Sequence, residues 1–195
     1  EMVIEAAQAG QTVFGENRVQ EAEKKIADCG IRIAEQNANV SLRNQQSEIR
    51  NPKWHLVGHL QTNKAKTAVA LFDMIHSVDS VRLAQEISQR AARIGKTMPV
   101  LLEVNVSGEA SKSGFRLHDR EKFFASVAQI LSTPHLQVEG LMTIAPYSPD
   151  AEQARPAFRG LCELRDELRR RFPDCGWHHL SMGMSGDYEV GVAEG

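Results

Sequence analysis

The chain has 195 residues, with 23 Lys and Arg against 25 Asp and Glu. That is room for one domain with a real core, and a net charge of −2 has the wrong sign for a polybasic nucleic-acid binder. A hydrophobic fraction of 42% beside 25% charged residues excludes a disordered chain, and no apolar run approaches a membrane span.

In chain order, EMVIEAAQAG reads as the body of a helix stopped by Gly10. Thr12 to Phe14 is a short strand closed by Gly15, and Glu16 to Asp28 is a helix expected to end at Cys29-Gly30. Residues 31–53 are rich in Asn, Gln, Ser and Arg and are expected to form a polar surface excursion. Trp54 to Gly58 is a strand and Leu60 to Leu71 a helix. Met74 to Val78 is a third strand, with Asp79 as the expected N-cap of a helix carrying Leu83, Ile87, Ala91 and Ile94 on one face. Pro99 to Val106 is the clearest strand, followed by a Gly/Ser loop from Ser107 to Gly114. Asp119 is expected to cap the next helix, with its stripe at Phe124, Val127 and Leu131. Leu136 to Met142, then a helix from Arg155 to Phe172, then His178 to Met182 and an incipient helix from Asp187 complete the series.

Strands and helices in strict alternation imply a parallel sheet with helical crossovers. The open form is a doubly wound sheet; the closed form is the eight-stranded (β/α)8 barrel of TIM type. Six units are visible here, so a first strand is expected before Glu1 and a last one after Gly195. The residues are expected to form a single barrel domain over 1–195.

In such folds ligands sit at the C-terminal ends of the strands. Side-chain alternation puts Glu103 and Asn105 on the barrel face of their strand, where each needs a partner or a ligand. The run Ser181-Met182-Gly183-Met184-Ser185-Gly186-Asp187 lies between a strand and a helix, where hydroxyls and backbone N–H groups can face a phosphate. His55 and His59 have the spacing of two zinc ligands on a helix, but they lie on a strand and the turn after it, and no metal site is expected. His178 and His179 should point to opposite sheet faces. Cys29, Cys162 and Cys175 form no CxxC pair, which suits a reducing, cytoplasmic setting and inert thiols.

The segments FGENRVQEAEKK, WHLVGHLQTNKAK, VNVSGEASKSGF, VEGLMTIAPY and LSMGMSGDYEV, in that order, resemble the pyridoxal-phosphate homeostasis protein family, similar to the N-terminal barrel of alanine racemase. The resemblance implies a barrel that binds pyridoxal 5′-phosphate (PLP), held as a Schiff base on a lysine without settled catalytic activity. It implies a role in intracellular vitamin B6 and amino-acid balance. The alternative is a racemase-like PLP enzyme, which normally needs a further domain. Carried over by position, Asn17 would lie near the cofactor ring. Ser181 and Ser185, with the Gly183 and Met184 backbone, would hold the phosphate; His59, Asn63 and Met142 would be pocket neighbours. The Schiff-base lysine is expected upstream of Glu1, and Lys112, on a loop, is a poor substitute. The implied partners are PLP and recipient PLP enzymes, with neither nucleic acid nor membrane, and the chain is expected as a monomer or weak dimer.

Overall fold

A computed structural model describes residues 2–40 and 52–195, with the backbone alone over 31–40. Helix α1 (Met2–Gln8) leads into β1 (Val13–Glu16) and α2 (Val19–Val40). Strand β2 (Lys53–Leu56) is followed by a 3₁₀ turn (Thr62–Lys64), α3 (Ala65–Leu71), β3 (Met74–Val78) and α4 (Val81–Arg93). Then come β4 (Met98–Asn105), the two-residue β5 (Phe115–Arg116), α5 (Arg120–Leu131) and β6 (Leu136–Met142). A second 3₁₀ turn (Ala151–Ala154), α6 (Arg155–Arg171), β7 (His179–Ser181) and α7 (Tyr188–Glu194) complete the chain.

Every strand pairing is parallel, and the main sheet runs β1-β2-β3-β4-β6-β7, in chain order. That order follows from helical crossovers of one hand, each placing the next strand beside the last. The sheet is curled. β3 and β7 are not neighbours, yet His76 Nδ1 on β3 lies 2.9 Å from Ser181 Oγ at the end of β7. Side chains of such strands meet only if the sheet wraps around a shared interior. The described residues thus form part of a TIM-type barrel.

The alternation on β4 is the expected one. Val100, Leu102 and Val104 are buried in the main core against the helices, with Ile87, Val127 and Ile130. Leu101, Glu103 and Asn105 are also buried, on the opposite face. In α4, Ser80 and not Asp79 is the N-cap: its Oγ accepts from Leu83 N at 3.2 Å. Asp79 is thereby left to turn toward the barrel mouth. Ile94 falls past the last turn as the C-cap and is 56% exposed, so it does not extend the buried stripe. Asp119 caps α5 as expected, accepting from Lys122 N at 3.0 Å.

Two further differences have simple causes. Helix α2 passes through Gly30 and reaches Val40, because one glycine costs a helix only about 1 kcal/mol and does not end it alone. The polar excursion expected over 31–53 is therefore helical to Val40, and β2 begins at Lys53; residues 41–51 lie outside the described residues. The segment after β2 begins as a 3₁₀ turn at Thr62 before α3, so the expected helix from Leu60 starts later.

Candidate functional site

The C-terminal ends of the strands open onto a cavity of about 420 Å³. Asn17, after β1, and Val57, after β2, form one side. Met142, at the end of β6, and Thr143 and Ile144 just after it form a second side. Ser181, Gly183, Met184, Ser185 and Asp187, from the end of β7 to the start of α7, form the third side. That volume lies within the usual range for small-molecule sites, and its lining mixes apolar walls with a few hydroxyl and amide groups. Of the residues singled out in the sequence, Asn17, Met142, Ser181, Gly183, Met184 and Ser185 meet here. His59 lines a neighbouring cavity, and Asn63 is exposed on the 3₁₀ turn and lines neither.

Close backbone approaches hold this geometry. A Cβ on Gly58 would meet Asn17 O at 2.1 Å, so glycine lets the turn after β2 lie against the turn carrying Asn17. Gly183 takes φ +85°, and a Cβ there would meet Tyr188 Cα at 2.8 Å. Both features combine left-handed or crowded backbone with a functional rim, which only glycine permits.

Ser181 does not stand alone. His55 Nδ1 lies 3.1 Å from His76 Nε2, and His76 Nδ1 lies 2.9 Å from Ser181 Oγ. Burial first, and then the neighbouring His55 and His179, push the His76 imidazole down to about 4. Burial likewise lowers His55. Both rings are therefore neutral near pH 7, and each can donate from one nitrogen and accept at the other. Further along the same segment, Met184 N donates to Asp187 Oδ1 at 2.5 Å. The Met184 N–H expected to face an anion is thus engaged by a carboxylate.

The two inward polar residues of β4 part company. Asn105 is fully engaged in shaping the following loop: Nδ2 donates to Glu109 O at 2.7 Å, and Oδ1 accepts from Gly108 N at 2.9 Å. Glu103 is 4% exposed and its Oε2 has no hydrogen-bond partner. Burial, and then the Asp79 carboxylate, push the Glu103 carboxyl up to about 7. Glu103 lines a second cavity of about 240 Å³ with His59 and Lys112, and Ile144 lies between the two cavities. Lys112 is pinned there: its Nζ donates to Ile144 O at 2.9 Å and to Ala145 O. His76 and Asp79 carry no local sequence signal as parts of these sites, because each acts through partners distant in the chain.

Residues 1–191 match the family described as alanine racemase, N-terminal domain. Over 195 residues the chain is 40% identical to the pyridoxal phosphate homeostasis protein of Aquifex aeolicus, covering all of this chain and 76% of that one. The chain belongs to the pyridoxal phosphate homeostasis protein family. Homeostasis proteins of Vibrio cholerae and Escherichia coli K12 are 36% and 35% identical, with 75% and 74% of their lengths covered. PipY of Synechococcus elongatus, solved without PLP, superimposes with a TM-score of 0.82 at 36% identity, over 99% of this chain and 80% of that one. PipY with PLP bound gives 0.79 at 35% identity, over 100% and 81%. Alanine racemase of Clostridium difficile, at 12% identity and a TM-score of 0.65 over 90% of this chain, shares the fold. In this member of the family, Asn17 of the FGEN segment and Ser181 to Ser185 with Asp187 of the SMGMSGD segment line the 420 Å³ cavity.

Proposed function

We propose that this chain binds PLP in the 420 Å³ cavity and serves PLP homeostasis without turning over a substrate. One observation carries the reading: the cavity joins two serine hydroxyls, Ser181 and Ser185, to an apolar wall that includes Val57 and Met142. That donor set suits a phosphorylated, planar aromatic ligand: hydroxyls for the phosphate, apolar side chains for the ring. The names of the homeostasis relatives and the PLP-bound PipY structure support the same ligand.

Among the described residues no lysine lines this cavity, and the Lys112 ammonium is engaged by the Ile144 and Ala145 carbonyls. Family membership implies a lysine that takes the PLP aldehyde, and Lys112 is not proposed for that role. When bound, PLP supplies a reactive aldehyde; a cavity that holds it keeps it from stray amines. The chain's own groups support a non-catalytic role. Both His76 ring nitrogens and the Asp187 carboxylate are already engaged, which leaves little free acid–base capacity on the rim. Delivery to recipient PLP enzymes as a monomer or weak dimer in the cytoplasm completes the proposal. Free Cys29, Cys162 and Cys175 support that compartment. Among the described residues no helix is long and apolar enough to cross a membrane.

The test is a PLP titration of the full-length protein followed by visible absorbance, with an amino-acid racemisation assay in parallel. Saturable binding at one PLP per chain with no racemisation is expected. Failure to saturate overturns the ligand, and robust racemisation overturns the non-catalytic role.

A further inference from the structure

Glu103 poses a problem that the PLP cavity does not solve. Its carboxyl is 4% exposed and Oε2 has no partner, a costly state for a group on a barrel interior. Lys112 lines the same small cavity but gives its protons to backbone carbonyls. Asn105, two residues along the same face, is committed to its own loop.

Two side chains do face Glu103. His59 comes from the turn after β2 and Asp79 from the turn after β3, so three successive strand ends contribute one group each. One ligand atom from each of His59, Asp79 and Glu103 lies within 4.8 Å of the other two. His59 Nδ1 is 3.5 Å from Asp79 Oδ2, close to the separation of two ligands that share one ion at about 2.0–2.2 Å. His55 has no part in this set, because its Nδ1 is engaged with His76.

We propose that His59, Asp79 and Glu103 form a binding site for one divalent first-row cation of the Mn²⁺ or Zn²⁺ class, separate from the PLP cavity. The donor chemistry selects that class. One imidazole with two carboxylates is softer than the all-oxygen cages of Ca²⁺ and Mg²⁺, and has none of the thiolates that mark structural zinc. A neutral imidazole and two carboxylates carry a charge of −2, which a divalent ion cancels. The ion also supplies what Glu103 lacks, a partner for its buried oxygen. Three protein ligands leave coordination positions open on the side of the 240 Å³ cavity, where a water or an oxygen ligand can sit. The inference stands on the barrel mouth alone and does not depend on PLP binding.

The experiment titrates Mn²⁺ into the chelator-treated full-length protein and follows loss of the free-ion signal by electron paramagnetic resonance. Zn²⁺ is then added as competitor, and the series is repeated with PLP present. Saturation at one Mn²⁺ per chain is expected, with displacement by Zn²⁺. Asp79→Asn and Glu103→Gln should each weaken binding by about tenfold or more. His59→Ala, on an exposed turn, should do the same without disturbing the buried carboxyl, and so serves if Glu103→Gln fails to fold. No binding up to millimolar Mn²⁺, or binding unchanged in all three variants, overturns the site and leaves Glu103 as a buried neutral acid.

Discussion

His76 Nδ1 lies 2.9 Å from Ser181 Oγ, and this contact decides where the Ser181 hydroxyl can send its one proton. Two polarities of the His55–His76–Ser181 chain satisfy every member. In one, Ser181 donates to His76 and has nothing left for an anion. In the other, His55 Nδ1 donates to His76 Nε2, His76 Nδ1 donates to Ser181 Oγ, and the hydroxyl proton is free for a phosphate. A bound phosphate selects the second. His76→Phe should therefore weaken PLP retention about fivefold, the equivalent of ~1 kcal/mol for one oriented hydrogen bond. The check is a PLP dissociation constant for each protein; equal constants would remove the relay from the account.

The same histidine sets a pH dependence. Its imidazole falls from 6.5 to about 4 on folding, mainly through burial. A lowered folded value means that the unfolded chain takes up the proton first. Stability is then fully present above pH 6.5 and is lost as pH falls toward 4, by about 3 kcal/mol over that window. Urea unfolding at pH 7, 5.5 and 4 measures the loss. His76→Phe should flatten this part of the curve.

Ser181→Ala combined with Ser185→Ala should release PLP readily. Each hydroxyl that reaches a phosphate contributes a charge-assisted hydrogen bond of about 1.5–3 kcal/mol. Retention of PLP through gel filtration reads the effect, and a double variant that keeps its PLP would move the phosphate elsewhere.

Asp187 offers a change in the opposite direction. Its carboxylate lines the cavity and accepts from Met184 N at 2.5 Å, so it opposes an anion and occupies a donor at once. Asp187→Asn keeps an acceptor for Met184 and removes the charge. Tighter PLP binding is expected, with a gain that shrinks as salt rises, because the repulsion removed is screened. Isothermal titration at two salt concentrations checks both parts.

Gly58→Ala tests the packing of the rim. The added Cβ would meet Asn17 O at 2.1 Å, and backbone must shift to admit it. A loss of about 1–3 kcal/mol in thermal or urea unfolding is expected, together with weaker PLP binding as Asn17 moves.

The parts of this molecule legible from sequence are those set by local pattern. Leu136–Met142 forms β6 with the expected bounds, and Asp119 caps α5, because apolar Leu136 and Val138 alternating with Gln137 and Glu139, and a carboxylate before a helix, carry their own signals. The rim of the cavity was legible where chemistry and turn residues coincide, as in Ser181 to Asp187. What stayed hidden depends on closure. Asp79 and Ser80 are both good caps, and only the extended backbone of Ser80 assigns the role and frees Asp79. His59, Asp79 and Glu103 lie far apart in the chain and meet because three strand ends do. The direction of a hydrogen bond, as between Met184 and Asp187, leaves no trace in residue spacing.

The central claim is that PLP sits between the turn after β1 and the segment from Ser181 to Asp187. A diffraction structure of the full-length protein with PLP tests it most directly. The phosphate should lie within hydrogen-bonding reach of the Ser181 and Ser185 hydroxyls, with the ring toward Asn17 and Met142. PLP density at Lys112, or anywhere outside the 420 Å³ cavity, would contradict the account.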